Sequence, residues 1–399
     1  MNKQTVLKYC EDIKEWIIDV RREFHKIPEL SLEEYDTKEK VINYLKEIEI
    51  EYIDFKEHNG IMAYLINPKN TTTIGIRADI DALPIQEKTT HSYKSINQGK
   101  MHACGHDAHI AMLLGACKIL NSMKEKLNVN VKFLFQPAEE TLGGAKLLVQ
   151  DKCLENPKVD YMFGLHVMPH IETGYVETKY DTLNASTDTL NIVIKGKKAH
   201  GAYPENGIDA LVAASHIITA FQSIISRNLS PLDSAVLTIG KIQGGDAQNI
   251  ICEEVNMKGT LRTLDSDTRN FMINRIKCVV ENISQSFGCK GQLIIDDDGY
   301  PAVINDKEMV DIIRYNTKEV LGEDKFIMRK KPSLGGEDFS FYTENCKGVF
   351  FHVGCRNKKR NIIHHLHTAE FDIDEDCLII GTMMHVMNTL YFNQKNNLD

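Results

Sequence analysis

Apolar positions recur at helical spacing early in the chain. Ile13, Trp16, Ile17, Val20 and Phe24 fall three and four apart, and Pro28 stops the run. Ser31 with Glu34 reads as a capping box for a second helix through Leu45. Ile61–Ile66 and Thr73–Ile76 are then extended runs. Ile110–Leu120 returns to helical spacing, with Met112, Leu113, Ala116, Ile119 and Leu120 as its apolar or small positions. Val131–Phe135 is β-branched and aromatic, a glycine-punctuated helix covers Ala145–Gln150, and Tyr161–Leu165 is another short strand. Strand and helix alternate throughout, which predicts an α/β domain with a mostly parallel sheet and flanking helices.

From about Asn184 the texture differs. Leu190–Ile194, Ala235–Ile239, Val255–Leu261 and Gln292–Ile295 read as strands, and Ile208–Ser226 and Ser266–Phe287 as helices. Two helices and four strands in this order predict an α+β domain inserted into the first. The expected bounds are 1–183 for the first part of the main domain, 184–297 for the insertion and 298–399 for the return. Asp296–Pro301 has turn composition, and a helix at Lys307–Leu321 and a strand at Val349–Val353 complete the main domain.

Asp79 and Asp81, Glu139 and Glu140, and His166 each fall just past the end of a predicted strand. Open α/β sheets bind their ligands beside those carboxyl ends. The stretch Met101–His109 adds His102, Cys104, His106, Asp107 and His109 at the mouth of a helix. A helix N-terminus favours a thiolate, and a thiolate beside an imidazole suits zinc and its first-row neighbours. Cys104, His106, Glu140, His166 and one histidine of His364-His365-Leu366-His367 make five candidate ligands. That is more than one tetrahedral ion takes and points to two. The paired glutamates divide into one ligand and one free base.

Composition narrows the function classes. The 399 residues suffice for two domains. The net charge of −9 has both signs interspersed, so no basic stripe for nucleic acid is expected. Met1–Trp16 lacks a signal-type apolar core, and no run of ~18 apolar residues predicts a membrane span. The ten scattered cysteines read as reduced thiols of a cytoplasmic protein.

The chain resembles the amidohydrolase branch of the metallo-aminoacylase/carboxypeptidase family, which includes hippurate hydrolases, N-acyl-amino-acid deacylases and N-acetyldiaminopimelate deacetylases. The matching motifs run nearly end to end: Arg21–Leu30 (RREFHKIPEL), Arg77–Pro84 (RADIDALP), Met101–His109 (MHACGHDAH), Gln136–Glu140 (QPAEE), Gly164–Val167 (GLHV), Gly244–Asn249 (GGDAQN), Gly336–Phe339 (GEDF), and Leu366-His367 with Phe371-Asp372. The resemblance implies a di-metal exopeptidase-like catalytic domain with an inserted lid and dimerisation domain, and hence a homodimer. It implies that Cys104, His106, Glu140, His166 and His367 hold two divalent ions of zinc, manganese, nickel or cobalt type, with Glu139 as general base. One of Asp79 and Asp81 orients a ligand imidazole, and which one stays open. His200 matches a group that polarises the scissile carbonyl, and Asn249 and Arg262 match substrate-binding groups.

The chain departs from relatives at His200–Glu205, where Glu205 replaces a second histidine, and at His364-His365, which add imidazoles. The implied activity is hydrolysis of small N-acyl amino acids. A carboxypeptidase or dipeptidase of the same fold is the near alternative, and a non-catalytic metal- or thiol-binding protein the distant one.

Overall fold

The computed structural model describes residues 3–395 apart from 142 and 298. Met1 and Asn2 of the N-terminal segment, Asp298 at the expected return and the last four residues therefore lie outside the described residues. The elements in order are α1 (Lys3–Asp12), α2 (Lys14–His25), α3 (Tyr35–Glu47), β1 (Glu51–Asp54), β2 (Ile61–Leu65), β3 (Thr73–Asp79), α4 (His106–Ser122), β4 (Asn130–Gln136), α5 (Gly144–Gln150), β5 (Tyr161–Glu172), β6 (Val176–Thr178) and β7 (Asp181–Asn184). There follow β8 (Asp188–Lys195), α6 (Ala210–Ser223), β9 (Ala235–Gly244), β10 (Glu254–Thr263), α7 (Ser266–Ser286), β11 (Lys290–Ile295) and β12 (Val303–Asn305). The chain ends with α8 (Lys307–Leu321), β13 (Phe326–Met328), α9 (Ser340–Thr343), β14 (Lys347–Arg356) and α10 (Asp376–Lys395).

Two compact units result. One comprises the described residues up to Leu183 with 304–331 and those from Asp338 on; the other comprises 184–303 and 332–337. The first unit thus resumes six residues later than the expected 298. The second also takes back a short piece, 332–337, that no periodicity marks.

The first unit holds an eight-stranded sheet in the order β1-β2-β4-β3-β5-β14-β6-β13. Its centre is parallel: β3 pairs with β4 and β5, and β14 with β5. β3 and β4 are buried along their whole length, as expected for strands covered on both faces. α4 and α10 are apolar nearly all round and join one core with Ile76, Phe133, Phe163 and Phe351.

Two readings of the sequence change. His166 does not follow its strand: β5 continues to Glu172 because β14 pairs with it in register, His352 opposite His166. Its pairing with β3 stops at Gly164, so His166 still faces the crevice beyond β3. Ser31 and Glu34 do not form a capping box. α3 starts with no side-chain cap, and both side chains bond elsewhere. Ala210–Asn228 is a 19-residue helical stretch that is, by length and composition alone, apolar enough to cross a membrane. Its polar residues interrupt any continuous apolar run, and its Ala213, Ile217 and Phe221 side packs in the second unit's core.

That second unit is an antiparallel sheet, β11-β8-β10-β9, with α6 and α7 packed on it. Leu190, Ile192 and Ile194 of β8 alternate inward against Ile217, Phe221, Met272 and Ile276.

In the first unit a buried ion pair fixes α2 to the start of α4. Arg21, 1% exposed, donates from Nε to Asp107 Oδ2 at 2.7 Å, and the same oxygen lies 2.7 Å from His25 Nδ1. Removing one member of such a pair leaves an uncompensated buried charge. Arg21→Ala is therefore expected to cost about 3–5 kcal/mol, read as a lower urea midpoint; an unchanged midpoint would refute this.

Candidate metal centre

The site is built from the carboxyl ends of β3 and β4, the N-terminus of α4, the middle of β5 and the loop before α10. Cys104 and His106 flank Gly105, which caps α4 with φ +86°. A Cβ there would lie 2.4 Å from Val167 Cγ2. Glycine thus permits both the left-handed turn and the close approach of β5.

Hydrogen bonds assign each ring's proton. His166 Nδ1 lies 2.7 Å from the Val167 carbonyl and must donate to it, so Nε2 keeps its lone pair, 3.3 Å from Cys104 Sγ. His106 Nδ1 lies 3.2 Å from Asp81 Oδ1, and its buried Nε2 has no hydrogen-bond partner. His109 differs. Its Nε2 accepts the Val167 N–H at 3.0 Å and its Nδ1 donates to Asp79 Oδ1 at 2.5 Å. With both nitrogens engaged, His109 is not a ligand, although it lies in a cluster with Asp79 and His106.

The two aspartates thus have distinct partners. Asp81 receives His106 through Oδ1, and its Oδ2 accepts from Ser31 and from the Glu140 N–H. Asp79 is clamped between His109 and Arg77, whose Nη1 lies 2.7 Å from Oδ2. Arg77 also reaches Gln136 and Asp338, all fully buried.

Glu140 Oε1 is buried without a hydrogen-bond partner, with ring nitrogens of His367 and His106 at 3.3 and 3.9 Å. Potential ligand atoms lie within 4.8 Å of one another in three overlapping sets: Cys104, His106 and His166; Cys104, Glu140 and His367; and His106, Glu139 and Glu140. The five residues that the resemblance named as ligands therefore converge, joined by Glu139. His364, His365 and His367 are all exposed, and of the three His367 brings a ring nitrogen to Glu140. His367 itself holds φ +60° while its N–H bonds the Ala103 carbonyl. Such backbone strain persists only where the surroundings fix it.

Electrostatics favour cations here. Burial, then Glu140, Glu139 and Asp79, push the Cys104 thiol well above its ordinary value. Burial alone would lower His106, yet Asp79, Asp81 and Glu140 raise it to about 10. Both shifts report one surplus of buried negative charge. The buried, unpartnered His106 Nε2 and Glu140 Oε1, beside a Cys104 thiol that a bound cation would deprotonate, fit divalent transition metals.

In the second unit His200 is exposed, and its Nδ1 accepts the Ala202 N–H at 3.0 Å, leaving Nε2–H as an outward donor. Gly201 packs against the Asn249 backbone, which brings His200 and Asn249 together. Arg262 is half-buried on β10 beside Gly336. Sequence reasoning missed the clamping by Arg77 and His109. An arginine and an aspartate two apart on one buried strand were the available signal.

Carboxylates behind a ligand imidazole typically change metal affinity by about 10–100-fold. Asp81→Ala is expected to weaken metal binding by that factor, measured by chelator competition, while circular dichroism stays native. Unchanged affinity would remove Asp81 from this role.

A model of peptidase family M20/M25/M40 matches residues 75–387. The N-acetyl-L-cysteine deacetylase of Bacillus subtilis is 38% identical over 387 residues, covering 97% of this chain and 89% of its own. Thermostable carboxypeptidase 1 of Saccharolobus solfataricus is 33% identical over 390 residues, covering 96% and 97%. Among solved structures, a dinuclear metal-binding peptidase of the M20 family from Bacillus subtilis has a TM-score of 0.83 at 31% identity, covering 96% of this chain and 99% of that one. Matches of this extent set aside a non-catalytic binding protein: the chain belongs to peptidase family M20/M25/M40 and is a metal-dependent hydrolase.

Proposed function

We propose that the protein removes the acyl group from small N-acyl amino acids. The observation that carries this reading is the convergence of Cys104, His106, Glu140, His166 and His367, with the carboxylate of Glu139 adjacent, around the buried and unpartnered His106 Nε2 and Glu140 Oε1. These five residues would hold two divalent ions. Bound ions of zinc, manganese, nickel or cobalt type supply Lewis acidity and lower the pKa of water to about 7. Glu139 takes a proton from the attacking water and delivers it to the departing nitrogen. Asp81 keeps His106 in the tautomer that offers Nε2, and Asp79 does the same for the supporting His109. His200 donates Nε2–H to the scissile carbonyl oxygen, Arg262 forks onto the substrate carboxylate, and Asn249 orients the substrate.

Relatives named for deacetylation and for carboxypeptidase activity both match this chain. A dipeptide substrate is therefore the alternative. The comparison that decides is kcat/KM for N-acetyl and N-benzoyl amino acids against dipeptides, with each of the four metals. Preference for dipeptides would overturn the acyl reading. Glu139→Gln is expected to lower kcat by about 10²–10⁴-fold with metal content retained. Near-normal turnover would remove Glu139 as the base.

The second unit's edge supports a homodimer. Among the described residues β9, ten residues long, pairs only with β10 and exposes Val236 and Ile242, while α6 exposes Leu211 and Val212. A long edge strand with exposed apolar residues is a template for strand pairing. Light scattering on the intact protein is expected to give a dimer, and Val236→Lys with Ile242→Lys a monomer. A monomeric unsubstituted protein would refute this.

A further inference from the structure

The turn that carries Glu139 is held from behind by a carboxylate that no motif role accounts for. Ala138, immediately before Glu139, has φ +54°, and Leu32 has φ +67°. Both are left-handed residues with a Cβ, a conformation in which the Cβ crowds the following carbonyl oxygen. Their N–H groups converge on one atom. Glu34 Oε1 accepts from Ala138 at 2.9 Å and from Leu32 at 2.9 Å, while Glu34 Oε2 accepts from Asn59 Nδ2 at 2.9 Å. Glu34 is fully buried, 104 residues away in sequence from Ala138.

The rest of the turn is held equally closely. The Ala138 carbonyl accepts the Gly144 N–H at 3.1 Å, and the Glu140 N–H is held at 3.0 Å by Asp81 Oδ2. Gly144 has no alternative, since a Cβ there would lie 1.7 Å from the Pro137 carbonyl oxygen. Two carboxylates, Glu34 and Asp81, thus hold the N–H groups of the residues on either side of Glu139. Bonds from a carboxylate to backbone N–H are charge-assisted and offset the left-handed cost.

We infer that Glu34 is a positioning residue for hydrolysis: by accepting the Ala138 N–H it holds the left-handed turn that aims the Glu139 carboxylate. The inference rests on the reading of Glu139 as base. Burial raises Glu34 to about 7, Asn59 and the Leu32 backbone opposing and the like charge of Asp81 adding to it. A carboxyl in so unfavourable a place makes sense through the acceptors it supplies.

The experiment is a double-mutant cycle on the metal-loaded enzyme. A misplacement of about 1 Å costs up to about 10²-fold in rate, so Glu34→Ala is expected to lower kcat by about 10–100-fold, with KM and metal content held. Glu34→Gln, which keeps an amide oxygen at the Oε1 position, should recover most of that loss. Ala138→Gly should partly rescue Glu34→Ala, because glycine takes the left-handed turn freely. In a Glu139→Gln background Glu34→Ala should cost nothing further.

Normal kcat in Glu34→Ala, beside an inactive Glu139→Gln, would overturn the positioning role and leave the base in place. An equal loss in both backgrounds, or no rescue by Ala138→Gly, would mark a merely structural role and overturn it too. An active Glu139→Gln would instead remove the base, and this inference with it. Where Glu34→Ala proves too unstable to purify, Glu34→Met fills the volume without the acceptor and carries the same outcomes.

Discussion

A buried surplus of negative charge organises the first unit. Asp79, Asp81, Glu139 and Glu140 and the thiol of Cys104 lie within one crevice, largely out of water. Buried charge of one sign is costly unless paired, and the chain pairs it in an ordered way. Arg77 joins Asp79, Gln136 and Asp338 with bonds of 2.7–2.8 Å, tying the ends of β3 and β4 to the loop before α9. Its guanidinium meets three acceptors in a fixed fork, a geometry a lysine does not offer. Asp79 is held well below the usual carboxylate range, since Arg77, His106 and His109 together outweigh burial. The charge left over after this pairing faces the donors of the candidate metal centre.

Much of this was legible in the sequence. Helices with one apolar stripe, such as α2 and α8, show their period because one side stays wet. The residues now gathered at the crevice stood out because polar side chains past apolar runs have few structural uses. α10 gave no periodic signal, being buried nearly all round. The capping box failed for a related reason. Ser31 and Glu34 have the right spacing, but Asp81 and the Ala138 N–H compete for their side chains from 50 and 104 residues away. Local spacing cannot show which acceptor or donor the fold will bring near. The division of labour between Asp79 and Asp81 was hidden likewise, since it depends on which imidazole each one meets.

The tautomers connect the fold to the chemistry. A histidine serves a cation only through an unprotonated nitrogen, so something must hold the proton on the other one. For His166 that is the Val167 carbonyl, and for His106 it is Asp81. The N–H of the same residue, Val167, donates to His109 Nε2 and so leaves the His109 proton on Nδ1, toward Asp79. One residue of β5, through the peptide groups on its two sides, thus specifies two imidazoles, freeing Nε2 of His166 and occupying Nε2 of His109. The continuation of β5 through His166, imposed by its pairing with β14, is what holds Val167 in place. Were the strand to end at Leu165, the Val167 carbonyl and N–H would no longer be fixed by the ladder with β14, and neither ring would have its proton assigned. The sheet's length is therefore part of the site's chemistry, not only its support.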